Sequence, residues 1–131
     1  MNNNLILFQL IEKSFKQERF QFETLDELSL TKIIFENGLV GLVYQSINQS
    51  TFKMQKYYQM LTQAFGSFVS KDIQQQAIIE DIKKLFNQHE IKHVFLKGSH
   101  LKQLYPETYM RGMGDIDCVV PKLDFDKAKK I

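Results

Sequence analysis

The chain has 131 residues and a net charge of +2. That length suits a single domain with a modest core, and so small a charge gives no strong field to draw the chain onto nucleic acid or an anionic membrane. One cysteine excludes an internal disulfide.

The first elements read as helices. Asn2 to Asn4 carry no basic group, and the apolar run after them is broken by Gln9 and Glu12. This fits neither a signal peptide nor a membrane span, so a cytoplasmic chain is expected. Leu5, Phe8, Ile11 and Phe15 mark a helical stripe over Leu5 to Gln17, with Asn4 as its cap. Thr24 and Glu27 stand at capping-box spacing, which predicts a second helix from there to about Phe35, stopped by Asn37-Gly38. Leu39 to Ile47 is short and apolar and reads as a packed helix.

Ser50 to about His89 is the longest periodic stretch. Met54, Tyr57, Leu61, Ala64, Phe65, Phe68 and Val69 recur every three or four residues, and Ile78, Ile82, Leu85 and Phe86 continue the pattern. One long helix fits it, and so do two with a break between Gly66 and Asp72. The aromatic and methionine positions read as core.

Near Glu90 the period changes. Ile91 to Leu96 is too short and too continuous for another such helix, ends in the apolar run Val94-Phe95-Leu96, and reads as a buried strand. Gly98 marks a turn, Ser99 to Tyr105 a short helix, and Pro106 its stop. Asp115 to Val120 reads as a second strand in the same sheet, ended by Pro121. Leu123 to Ile131 begins another helix, with Asp124 and Asp126 in its first turn. The fold class is therefore α+β, with a helical region over 1–89 followed by a β-α-β segment over 90–131.

Alternation along the second strand places Asp115, Asp117 and Val119 on one face and Ile116, Cys118 and Val120 on the other. Two neighbouring carboxylates repel unless a cation lies between them, and Mg²⁺ is the simplest such ion. The plainer alternative is a strand-edge pair facing water. Gly98-Ser99, between strand and helix, lets a phosphate approach the backbone closely; the alternative is an ordinary turn with Ser99 as N-cap. Lys97 and Arg111 are candidate phosphate partners, or structural partners of the two aspartates. Cys118 reads as a small core residue, and His93 and His100 as surface or supporting groups. No set of cysteines, histidines and acids has zinc-site spacing.

Lys97-Gly98-Ser99, Leu101, Tyr105-Pro106, Arg111 and Gly114-Asp115-Ile116-Asp117-Cys118-Val119-Val120 occur in an order that resembles the core motif of nucleotidyltransferases. The superfamily includes DNA polymerase beta and the aminoglycoside nucleotidyltransferases. The similarity is greatest to a bacterial branch of uncharacterised members, and it covers about Ile91 to Ile131.

The resemblance implies the opening part of a mixed nucleotidyltransferase sheet, with a nucleoside triphosphate (NTP) as substrate and Mg²⁺ or Mn²⁺ as cofactor. Asp115 and Asp117 would bind the metal and act in catalysis. Lys97, Gly98, Ser99 and Arg111 would hold the phosphates, and the acceptor would be an unidentified hydroxyl compound. The superfamily also carries a third carboxylate on a later strand. None follows here before Ile131, so the core is expected to be truncated in this chain. The Gly-Ser to Asp spacing is also longer than is usual in the superfamily.

Two rival functions follow from the same residues. One is an inactive fragment or interaction module that associates, as a homodimer, through exposed apolar surface. The other is a toxin-type nucleotidyltransferase that modifies RNA or protein; the weak net charge argues against RNA as its target. No membrane or nucleic-acid partner is expected.

Overall fold

The computed structural model describes residues 3–20, 26–49 and 52–131. Helix α1 spans Asn3–Phe15, α2 Glu27–Glu36, α3 Val40–Val43 and α4 Gln55–Gln88. Strand β1 is Val94–Leu96, α5 is Gly98–Leu101, β2 is Asp117–Val119 and α6 is Phe125–Lys129. Short 3₁₀ turns at Tyr44–Ser46, Lys102–Leu104, Thr108–Met110 and Lys122–Asp124 fill the connections. The class is α+β, as the sequence implies.

The main core is built by the first four helices. It gathers Ile6, Leu7 and Leu10 of α1, Leu30 and Ile34 of α2, Val40, Leu42 and Val43 of α3, and Leu61 of α4. Ile47, Phe52 and Met110 join it. The expected stripe on α1 is rotated. Phe8 is 68% exposed, and Leu5 and Phe15 also face outward, while Ser14 is buried and donates to the Leu10 carbonyl at 2.7 Å. Both faces of α1 carry apolar side chains, so periodicity alone could not say which one packs. Asn4 lies inside this helix and is not its cap.

Helix α2 also begins differently from expectation. Asp26 is its N-cap, with Oδ1 accepting from the Ser29 amide at 3.2 Å. Thr24 lies outside the described residues. The Glu27 carboxylate accepts from the backbone amides of Lys53 and Met54, just before α4. Gly38 ends α2 at φ +62°, a left-handed conformation that glycine adopts without strain.

Helix α4 is one unbroken rod of 34 residues, about 51 Å long at the α-helical rise. Its first half packs Leu61, with Tyr57, Tyr58, Ala64, Phe65 and Phe68 beside it, on the helical core. Its second half buries Asp72, Gln75 and Ile79, while Ile73 and Ile78 are exposed. The buried stripe therefore runs through two polar residues. Both have partners downstream: Asp72 meets Lys102 and Thr108, and Gln75 meets the backbone at Met113 and Gly114. The helical region and residues 90–131 thus meet along α4.

Strands β1 and β2 form an antiparallel pair, with Val94 opposite Val119, Phe95 opposite Cys118 and Leu96 opposite Asp117. Each is shorter than the stretch that predicts it, and β1 is not buried. Val94 is 59% and Leu96 40% exposed. Only the Phe95–Cys118 face is covered. The His93 ring lies between those of Phe86 on α4 and Phe95, at 5.2 and 5.7 Å, and the Lys83 ammonium stands 5.9 Å from the Phe95 ring centroid. The other face, with Val94, Leu96, Val119 and Asp117, is bare. No helix among the described residues is long and apolar enough to cross a membrane.

Candidate active site

The sheet register brings the two halves of the motif together. Leu96 pairs with Asp117, and paired α-carbons in an antiparallel sheet are about 4.5–5.5 Å apart. Leu96 leads directly into Lys97-Gly98-Ser99, so the Asp-x-Asp segment lies beside the glycine turn. Leu96 and Asp117 are 21 residues apart in sequence, and pairing closes that gap.

Burial alternates along 115–120: Asp115, Asp117 and Val119 are exposed, while Ile116, Cys118 and Val120 are half-buried. The two carboxylates therefore share the open side, although Asp115 itself precedes β2. Among the described residues, no ion pair engages Asp115, Asp117, Lys71, Lys97 or Arg111. The described residues hold no group of three or more histidines, cysteines or acids arranged to take a metal.

Lys97 occupies the sharpest corner of the site. Its backbone sits at φ 52°, ψ −117°, a conformation rarely adopted by residues other than glycine. Such strain persists only where the surroundings impose it. Here the imposing elements are β1 on one side and α5 on the other, and the Leu101 amide donates to the Lys97 carbonyl at 2.9 Å. The Lys97 side chain is exposed.

The glycine beside it has a packing reason as well. A Cβ on Gly98 would come within 2.9 Å of Met113 Cγ and 3.0 Å of its sulfur. Ser99 is buried, does not cap α5, and places its hydroxyl 3.4 Å from Met113 Sδ. A thioether is a weak acceptor, so this hydroxyl is only lightly held. Met113 therefore covers the turn, a contact the sequence did not suggest.

Arg111 lies elsewhere. It lines a pocket of about 330 Å³ between α4 and the 109–114 loop, with Phe68, Lys71, Gln75, Tyr109 and Gly114 among its other walls. Deep in that wall is a buried ion pair. Lys102 is 1% exposed and donates to Asp72 Oδ1 at 2.6 Å, while Thr108 donates to Asp72 Oδ2 at 2.7 Å. Gln75 Nε2 donates to the Met113 carbonyl at 2.7 Å and weakly to that of Gly114 at 3.4 Å. It thereby pins the backbone two residues before Asp115. Asp72, Gln75 and Lys102 escaped the sequence reading because isolated polar residues on a helix ordinarily face water. For Asp72 and Gln75 the available signal was their helical spacing with Ile79 on α4.

Burial raises the Cys118 thiol pKa above its ordinary value, against a weaker opposing effect of a backbone hydrogen bond at Val94. The thiolate is the reactive form. Alkylation by iodoacetamide at pH 8 is therefore expected to run several-fold slower in the folded protein than in the urea-unfolded chain. Equal rates would show that β2 does not shield the thiol.

The model of a family described as uncharacterised nucleotidyltransferase matches residues 23–131. The match extends well upstream of the motif and takes in α2, α3 and α4. No curated protein and no solved structure matches the chain.

Proposed function

The chain belongs to the uncharacterised nucleotidyltransferase family, and from that premise we propose that it serves a Mg²⁺-dependent transfer of a nucleoside monophosphate from an NTP to a hydroxyl acceptor. In that reaction an acceptor oxygen attacks the α-phosphorus, a P–O bond forms, the bond to pyrophosphate breaks, and the hydroxyl proton passes to solvent. The observation that carries the reading is the Leu96–Asp117 pairing, which sets two exposed, unpaired carboxylates beside the Lys97-Gly98-Ser99 turn.

The donor set fits Mg²⁺ or Mn²⁺. Hard carboxylate oxygens suit these ions, and Mg²⁺ is usually held by one or two carboxylates together with waters and substrate phosphates. Asp115 and Asp117 would hold it. When bound, the ion supplies positive charge to the reacting phosphates and lowers the pKa of an oxygen bound to it.

The chain's own contribution is placement. Lys97 presents an exposed side chain from a constrained turn, one residue after the Leu96 that pairs with Asp117. Ser99 can exchange the weak Met113 sulfur contact for a phosphate oxygen at little cost. Gln75 holds the backbone that leads into Asp115, limiting how far that carboxylate can drift.

Calorimetric titration of Mg²⁺–ATP tests the reading. Asp115→Asn/Asp117→Asn keeps the shape of both side chains and removes both charges. It is expected to bind Mg²⁺–ATP at least about ten-fold more weakly than the native chain, a difference of about 1.4 kcal/mol. Equal binding by the two proteins would remove the metal role from these aspartates.

A further inference from the structure

We propose that the pocket between α4 and the 109–114 loop is the acceptor site, and that it takes a small planar hydroxyl compound carrying one anionic group. This rests on the nucleotide reading above and adds to it a second, chemically distinct subsite.

Position is the first argument. Gly114 forms part of the pocket wall and is bonded directly to Asp115. Gln75, another wall residue, holds the Met113 and Gly114 carbonyls. A ligand in this pocket therefore lies against the backbone that carries the first metal-binding aspartate. Ser99, by contrast, lines a separate cavity with Gln76, Ile79, Lys83 and Phe95. The two cavities share no lining residue, and Met113, which lines the first and packs on Gly98 and Ser99, is the wall between the pocket and the phosphate turn.

Charge supplies the second argument. Three basic residues line the pocket: Lys71, Lys102 and Arg111. Lys102 is neutralised by Asp72 at 2.6 Å. Lys71 and Arg111 have no ion-pair partner among the described residues. With Asp72 already paired, the pocket carries two uncompensated cations, and Arg111 offers a planar fork suited to a carboxylate or phosphate. An anionic ligand is the complement of that arrangement.

Size and shape supply the third. Phe68, Tyr109 and Met113 give the pocket an apolar wall that includes two aromatic rings. A volume of about 330 Å³ is near the lower end of small-molecule sites. A single substituted ring fits that space better than a bulky or polymeric acceptor.

Nuclear magnetic resonance on the ¹⁵N-labelled 131-residue chain can test this, with 4-hydroxybenzoate as the probe and uncharged 4-hydroxybenzamide as its control. The carboxylate is expected to shift the Gly112 and Gly114 amides and to bind at least about ten-fold more tightly than the amide. Lys71→Gln changes an exposed position on α4 and should fold normally; it is expected to weaken carboxylate binding several-fold. Arg111→Gln should weaken it further, with partial rescue by Arg111→Lys.

Equal affinity for the two probes, or no shift at Gly112 and Gly114, would overturn the proposal. Displacement of 4-hydroxybenzoate by Mg²⁺–ATP would also overturn it, because the pocket would then belong to the nucleotide. A chain that binds 4-hydroxybenzoate at these glycines but shows no response to Mg²⁺–ATP would remove the acceptor role through failure of the nucleotide reading. That result is distinct from failure of the pocket.

Discussion

Asp72→Ala is expected to lower the stability of the protein by about 3–5 kcal/mol, the usual range when one partner of a buried ion pair is removed. The Lys102 side chain is 2% exposed and its ammonium lies 2.6 Å from Asp72. Without the carboxylate, that ammonium must stay charged in a poorly solvated place, lose its proton, or pull the Lys102–Leu104 turn open. Thr108 loses its acceptor at the same time. A domain is stable by only about 5–15 kcal/mol in total, so the variant should be close to unfolding under mild conditions. Asp72→Leu combined with Lys102→Met leaves no buried charge and should recover most of the loss. Urea denaturation measures both. A single variant within 1 kcal/mol of the native protein would mean that Lys102 reaches water easily and that the pair is not a structural tie.

The second large effect is expected at Gly41, where α3 meets the Thr108–Met110 turn and α4. A Cβ there would lie 2.4 Å from the Tyr109 carbonyl oxygen and 2.6 Å from Phe68 Cδ1. The first of these atoms belongs to the backbone, so no side-chain rotation can relieve the clash. Overpacking of this kind costs about 1–3 kcal/mol, against which the better helix propensity of alanine returns at most about 1 kcal/mol. Gly41→Ala should therefore destabilise, and Gly41→Val should do so more strongly. Both should also disturb the acceptor pocket, since Phe68 and Tyr109 line it. Urea denaturation combined with the Gly112 and Gly114 amide shifts reads both consequences. An alanine variant as stable as the native chain would show that α3 can slide away from the turn freely.

These two positions also show what could and could not be read from the sequence. The strands, the glycine turn and the Asp-x-Asp face were legible because period-two alternation and glycine leave clear local marks. The stop at Asn37-Gly38 was legible for the same reason. Asp72, Gln75 and Lys102 were not, because their burial depends on partners 30 or more residues away. The packed face of α1 was not legible either, since Phe8 and Phe15 are as apolar as Ile6 and Leu10. Strand β1 was expected to be buried from its composition, yet only one side of the two-stranded sheet is covered. Composition records how apolar a strand is, not how many neighbours it has.

The unbroken course of α4 has a consequence for how this chain can change length. Each residue added to an α-helix turns everything beyond it by about 100° and advances it by about 1.5 Å. Leu61 sits in the helical core, while Asp72 and Gln75 hold the motif loop. Deleting one residue between Leu61 and Asp72 would swing the polar pair a quarter turn or more away from Lys102 and the Met113 carbonyl. Even an insertion that restores the phase, such as a block of eleven residues, would displace the pair by about 16 Å along the axis. Surface loops tolerate insertions at small entropic expense, but this stretch of helix acts as a ruler whose residue count sets where the two aspartates stand.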